Sequence, residues 1–253
     1  MSISTNQIKY IASLQSKKFR KKYGKFIVEG EKPVKEALDH FHNYIDHIYL
    51  LEESAELYEG HPNLDPKLLS LINNKELSRI SGLKTPNKVL AICDIPEQTI
   101  IQKPEEKFQL YLDQINDPGN FGTIIRIADW FGLKQVFVSP ECAEVWNPKV
   151  IQSSMGAVFR VKVIEENLKE LTEKWPEIPV LVSDMDGIDI FKTKEISGGW
   201  IVIGNESHGV SQEIRNLPHQ KISIPKGEGS QMESLNAAVA SGILLAGLIH
   251  KSF

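Results

Sequence analysis

Three short polar clusters hold most of the residues in this chain whose types and spacing could do chemistry. The last runs Ser-Gln-Met-Glu-Ser-Leu-Asn from Ser230 to Asn236 and leads into an almost wholly apolar run from Ala237 to Leu248. Such a run suits a helix buried against other protein, and its start offers backbone N–H groups to a ligand. Ser234 could equally be a simple helix cap. The first cluster is Asn116-Asp117-Pro118-Gly119-Asn120-Phe121-Gly122, with Arg126 following. Pro-Gly-Asn reads as a turn and then a helix start, which would set Asn120 and Arg126 near one mouth. The plainer assignment makes Asn120 a cap and Arg126 half of a surface ion pair. In the middle cluster, Gly204-Asn205-Glu206-Ser207-His208-Gly209, two glycines bracket one carboxylate, bringing backbone close to a ligand while presenting an acid. Glu206 could orient a substrate group or hold its own loop, and His208, a lone histidine in a polar loop, is left out of the chemistry.

Familiar cofactor signatures are missing. There is no GxGxxG, no GxxxxGK[ST] and no HExxH. Cys93 and Cys142 lack metal-ligand spacing, so no metal is expected and both are read as inert thiols.

The elements that must position these clusters alternate between strand and helix. Strands are predicted at 109–113, 135–138, 158–163, 180–183, 200–203 and 221–224, and helices at about 120–131, 165–175, 211–217 and 234–250. Near-continuous apolar strands separated by helices indicate a mostly parallel sheet covered on both faces, with ligands at the strands' carboxyl ends. Each polar cluster follows one of these strands. Ahead of them lies a smaller α/β pattern: a helix carrying Ile3, Ile8, Ile11 and Leu14, strands at 26–28, 45–51 and 89–93, and helical pieces at 34–41 and 65–81. Residues 96–107, with Pro96, Pro104 and several charges, read as a linker between domains at 1–95 and 108–253.

At 253 residues, 41% hydrophobic and 25% charged, the chain has an ordinary globular composition. No apolar run approaches the roughly 18 residues of a membrane span, and the start, MSISTNQIKY, lacks a signal-peptide core, so a cytoplasmic protein without a membrane partner is expected. A net charge of −4 argues against indiscriminate coating of nucleic acid. Yet Lys17, Lys18, Arg20, Lys21, Lys22 and Lys25 cluster with Tyr10, Phe19 and Tyr23, and no acid intervenes before Glu29. That patch could neutralise phosphates and stack on unpaired bases, or be no more than a solvated helix face.

At this point the chain resembles a known family. NDPGNFGTIIRIADWFG, VIGNESHGVS and ISIPKGEGSQMESLNAAVASGI are similar to the three ordered motifs of the SpoU/TrmH RNA ribose 2′-O-methyltransferases of the SPOUT superfamily. GKFIVEGEKPVKEAL resembles the opening of the substrate-binding domain that precedes the catalytic domain in many members. The resemblance implies an α/β fold, a mostly parallel sheet with a carboxyl-terminal deep trefoil knot, preceded by a small α/β RNA-binding domain. It further implies S-adenosylmethionine as cofactor, a homodimer, and RNA rather than DNA as substrate, with a ribosomal target favoured over transfer RNA. Carried over by position, Gly204, Ile224 and Leu235 would contact the cofactor, while Asn120, Arg126, Glu206, Ser234 and Asn236 would serve catalysis and substrate. Lys226 stands where many members have Met, and the loop KGEGSQME is longer than in some. The other readings are an RNA-binding or ribosome-assembly factor that has kept the fold without turnover, and a nicotinamide-dependent oxidoreductase, which lacks its glycine fingerprint.

Overall fold

The computed structural model describes residues 3–97, 102–192 and 196–249. It divides into two compact units, one drawn from Met1–Thr99 and Glu144–Phe159, the other from Ile100–Ala143 and Arg160–Phe253. The first unit therefore recruits a stretch from well inside residues 108–253.

In the first unit, helix α1 (Thr5–Ser13) begins with a capping box in which Ser4 Oγ accepts from Gln7 N and Gln7 Oε1 accepts from Ser4 N. Helix α2 (Lys17–Tyr23) ends on Gly24, whose φ of 63° lies in the left-handed region that glycine tolerates. Strand β1 (Lys25–Glu29), helix α3 (Glu31–Phe41), strands β2 (Ile45–Leu50) and β3 (Leu69–Leu71), helix α4 (Asn74–Ile80) and strand β4 (Val89–Asp94) follow. The sheet order is β1-β4-β2-β3, antiparallel except for the β2–β3 pair. Ile8, Ile11 and Leu14 pack with Ile27, Leu90 and Ile92 in one core cluster, as their helical spacing requires.

In the second unit, β5 (Phe108–Leu112), α5 (Pro118–Trp130) and β6 (Gln135–Val138) lead to α6 (Pro148–Ser154), which belongs to the first unit and packs on β1. The chain returns through β7 (Lys162–Glu165), α7 (Leu168–Lys174), β8 (Val180–Asp189), β9 (Gly199–Ile203), α8 (Gln212–Arg215), β10 (Gln220–Ser223) and α9 (Ala237–Ile249). The six strands lie parallel in the order β10-β8-β9-β5-β6-β7. Every residue of β5 and β9 is buried, which is why both read as near-continuous apolar runs, broken in β5 only by Gln109. From β5 the chain steps outward through β6 and β7, then returns to the other side of β5. Strands β5 and β9 therefore flank a topological switch, the place where open parallel sheets bind ligands.

Three expectations need correcting. Residues 158–163 do not form one strand: Ala157–Phe159 is a 3-10 turn and β7 begins only at Lys162. The region 65–81 is not helical throughout, because Leu69–Leu71 pairs with β2 as an edge strand. The last helix begins at Ala237 rather than 234, and residue 250 lies outside the described residues.

Candidate active site

The three polar clusters meet at the carboxyl ends of β5 and β9. Asp117 caps α5 by accepting from Asn120 N at 2.8 Å, so Asn120 is not itself the cap and its side chain is free to point elsewhere. Asn120 Nδ2 donates to Glu206 Oε1 at 2.7 Å. Asn236 Oδ1 accepts from the backbone N–H groups of Ala238 and Val239 at 3.0 and 3.2 Å, making Asn236 the cap of α9. Those two acceptances fix the orientation of its amide, and Nδ2 then donates to Asn120 Oδ1 at 2.9 Å and to Glu206 Oε1 at 2.8 Å. Glu206 Oε1 also accepts from Ala237 N at 3.1 Å. One carboxylate oxygen thus gathers two amides and the start of a helix, whose dipole favours negative charge there. Oε2 of Glu206 keeps no partner among the described residues.

The loop carrying Glu206 is built to stay in place. Asn205 and Gly209 exchange backbone hydrogen bonds of 2.9 and 2.8 Å, and Gly209 turns the chain at φ 67°. Gly204 must be glycine for a different reason: a Cβ there would lie 2.4 to 2.6 Å from backbone atoms of Gly209 and Val210. From outside the loop, Asn205 Nδ2 donates to Gln114 O at 2.9 Å, and Asp113 Oδ2 accepts from Ser211 N at 2.5 Å. Gln114 itself has φ 56°, the left-handed region that non-glycine residues rarely occupy. Burial pushes the Asp113 carboxyl above its ordinary range, while the hydrogen bonds from Ser211 pull it back. Sequence reasoning missed Asp113; its signal was an acid ending an otherwise apolar strand, Phe-Gln-Leu-Tyr-Leu-Asp.

Beside this ring opens a cavity of about 510 Å³. Gly204, Ile224 and Leu235 all line it, with Met185, Arg215 and Met232 among the other walls. Ser234 lines it too, exposed, while the α9 cap belongs to Asn236. Arg126 is exposed and makes no ion pair or hydrogen bond with any described residue. It lies six residues beyond Asn120, roughly 9 Å further along α5, and does not join the Asn120–Glu206–Asn236 ring.

The basic patch divides. Lys17, Lys18, Lys21 and Lys22 are exposed on α2, beside an edge contact between Tyr10 and Tyr23 and a stack of Phe19 on Tyr23. Arg20 does not belong with them: it is 2% exposed, its guanidinium held by Glu144 at 2.6 Å and by the carbonyls of Leu14 and Gln15. Lys25 is likewise engaged, by Asp94 at 2.7 Å and Asp46 at 3.0 Å. Burial alone would lower its pKa, but those hydrogen bonds hold it above the ordinary value. Neither cation is available for phosphate.

No group of three or more potential metal ligands occurs among the described residues, and no described helix is long and apolar enough to cross a membrane. Both cysteines are free thiols; burial pushes Cys93 upward and Cys142 up to about 11.

Residues 107–246 match the model of the SpoU rRNA methylase family, just over half of the chain. The chain belongs to the SpoU rRNA methylase family. Ahead of that match, residues 5–91 fit the MRM3-like substrate binding domain. Among relatives of this SpoU member, the 23S rRNA (guanosine-2′-O)-methyltransferase RlmP of Bacillus subtilis is 28% identical, the alignment covering 96% of each protein. A solved structure assigned to the TrmH family of RNA methyltransferases, from Porphyromonas gingivalis, is 32% identical with a TM-score of 0.83, covering 97% of this chain and 98% of that one. An AdoMet-bound rRNA methyltransferase from Sinorhizobium meliloti is 25% identical with a TM-score of 0.84, covering 100% and 98%.

Proposed function

We propose that this protein transfers the methyl group of S-adenosylmethionine to a ribose 2′-hydroxyl of ribosomal RNA. The observation that carries the reading is the convergence of Asn120 from the first turn of α5, Glu206 from the loop after β9 and Asn236 from the start of α9 into one hydrogen-bonded ring beside a cavity walled by Gly204, Ile224 and Leu235. A volume of about 510 Å³ falls in the range of roughly 300–1,000 Å³ typical of small-molecule sites, and the mix of loop backbone, Ile, Leu and Met suits a nucleoside with an amino-acid tail. Bound S-adenosylmethionine supplies a methyl group already activated by its positive sulfur.

The residues of the chain then have to position the attacking hydroxyl, whose oxygen must approach in line with that methyl. Fixed geometry of this kind can offset roughly 7–11 kcal/mol in favourable cases. Asn120 and Asn236 hold Glu206 by one oxygen and leave Oε2 as the anionic acceptor of the ring. Ser234, exposed at the cavity wall, offers a hydroxyl to the ribose or its phosphate. Arg126, with no partner among the described residues, binds the phosphate next to the target and lowers the pKa of the hydroxyl. A guanidinium stays protonated at neutral pH, so charge stabilisation rather than proton abstraction is its part, and the hydroxyl proton passes to solvent water as the O–CH3 bond forms and S-adenosylhomocysteine leaves.

RNA is held by the unit bearing Lys17, Lys18, Lys21 and Lys22, with residues 96–107 joining it to the catalytic domain in a cytoplasmic enzyme. The tail from Ile224 to Asn236 threads as a trefoil knot in this reading, supported by the bonds of Asn236 to the first turn of α5 and to the loop after β9. A homodimer completes it: α9 packs against α5, and each helix leaves a large apolar side chain exposed, Trp130 at 85% and Val239 at 50%, for a second copy to cover. Mapping 2′-O-methyl positions in ribosomal RNA from cells with and without the protein tests the reading. One position should lose its methyl group when the protein is absent; an unchanged map would overturn it.

A further inference from the structure

Arg215 presents a guanidinium that neither a core nor a surface ion pair explains. It is exposed and has no carboxylate partner among the described residues. Instead it folds back from α8 onto the loop that carries Glu206. Its Nε donates to Val210 O at 3.1 Å and its Nη2 to His208 O at 3.2 Å. Between those two carbonyls lies Gly209, where a Cβ would meet Nη2 at 3.3 Å. His208, Gly209, Val210 and Arg215 all line the cavity.

A loop of this kind has an intrinsic tendency to open, because its backbone carbonyls compete for water. Asn205 and Asp113 anchor its two ends, but the stretch from His208 to Val210 is pinned from outside by Arg215. We propose that Arg215 is a positioning residue that holds the cavity side of this loop in the shape that binds the cofactor. The inference rests on the reading of the cavity as the S-adenosylmethionine site. If Arg215 is lost, the loop spends part of its time in other shapes, and apparent affinity falls by the competent fraction that remains. A competent fraction of about one tenth corresponds to a tenfold weaker Kd.

The probe is S-adenosylhomocysteine, titrated calorimetrically into the full-length wild type, Arg215→Ala and Arg215→Lys, with Tm recorded for each. The expected result is a Kd about tenfold weaker for Arg215→Ala, partial recovery by Arg215→Lys because an ammonium can still donate to the same carbonyls, and Tm values close to the wild type. A purely structural side chain would shift Tm and leave Kd in place. A Kd for Arg215→Ala within twofold of the wild type overturns the proposal while leaving the cofactor reading intact. Absence of S-adenosylhomocysteine binding by the wild type itself would instead overturn the cofactor reading, and this inference with it.

Discussion

Asn236 does two jobs that substitution can separate. Its Oδ1 caps α9 through Ala238 and Val239, and its Nδ2 donates to Asn120 and Glu206. In Asn236→Ala both are lost; in Asn236→Ser the hydroxyl still caps, since serine caps about as well as asparagine, but it cannot bridge Asn120 and Glu206. An Asn cap is worth about 1 kcal/mol over Ala, and in a protein of this size that shifts Tm by roughly 2–4 °C. Asn236→Ala should therefore melt about 2–4 °C below Asn236→Ser. The bonds to Glu206 lie in an exposed site where water can replace them, so they should add little to that difference. Catalysis should follow the other job. Without the amide bridge Glu206 loses one of its three donors, and a displacement of about 1 Å at a reacting centre costs on the order of 100-fold. Both variants should lose methyl transfer by about that factor, measured as tritium moved from labelled S-adenosylmethionine into undermethylated ribosomal RNA. If Asn236→Ser works within a few-fold of the wild type, Asn236 is only a helix cap and the proposed ring has no catalytic role.

Gly204→Ala should abolish S-adenosylhomocysteine binding in calorimetry while far-UV circular dichroism stays native, because the added Cβ meets backbone that cannot move aside; unaltered binding would show that the loop tolerates a different path. Replacing Lys17, Lys18, Lys21 and Lys22 by glutamine should flatten the salt dependence of RNA binding by up to about 3 in log–log slope, whereas Arg20→Ala should leave that slope alone and lower stability by about 3 kcal/mol through the stranded Glu144. The reverse pattern would move the RNA surface elsewhere. Folding raises the carboxyl pKa of Asp113, so the stability carried by its proton is present below the unfolded value near 3.9 and is lost as pH rises through the higher folded one. Asp113→Asn should consequently gain in Tm relative to the wild type between pH 4 and 7; a constant difference would mean that Asp113 titrates normally.

What could be read from the residues, and what could not, follows the range of the forces involved. Strands β5 and β9 are legible because burial on both faces leaves a near-continuous apolar run, and the polar clusters after them are legible because neither packing nor solubility calls for Glu206 between two glycines. The cap stays open in the sequence because Ser234 and Asn236, two residues apart, are both good caps, and only the hydrogen bonds to Ala238 and Val239 decide between them. The stretch 158–163, Val-Phe-Arg-Val-Lys-Val, reads as one strand because β-branched and aromatic residues run on across two structural roles. Its first half turns with Phe159 against Phe41 in one unit, and its second half pairs with β6 in the other. Arg20 was the least legible residue of all. Among so many lysines it looks like one more surface cation, and the Glu144 that buries it stands 124 positions away.

Methyl transfer to a ribose oxygen is tested most directly by the chemistry of the 2′-hydroxyl itself. Alkali cleaves RNA by attack of that hydroxyl on the adjacent phosphate, so a methylated position resists and survives within a dinucleotide. Purified protein should be incubated with methyl-tritiated S-adenosylmethionine and undermethylated ribosomal RNA, and the RNA then hydrolysed in alkali and separated by size. Label in the dinucleotide fraction, absent with Glu206→Ala, is the result expected. Label confined to mononucleotides would place the methyl group on a base and contradict the account.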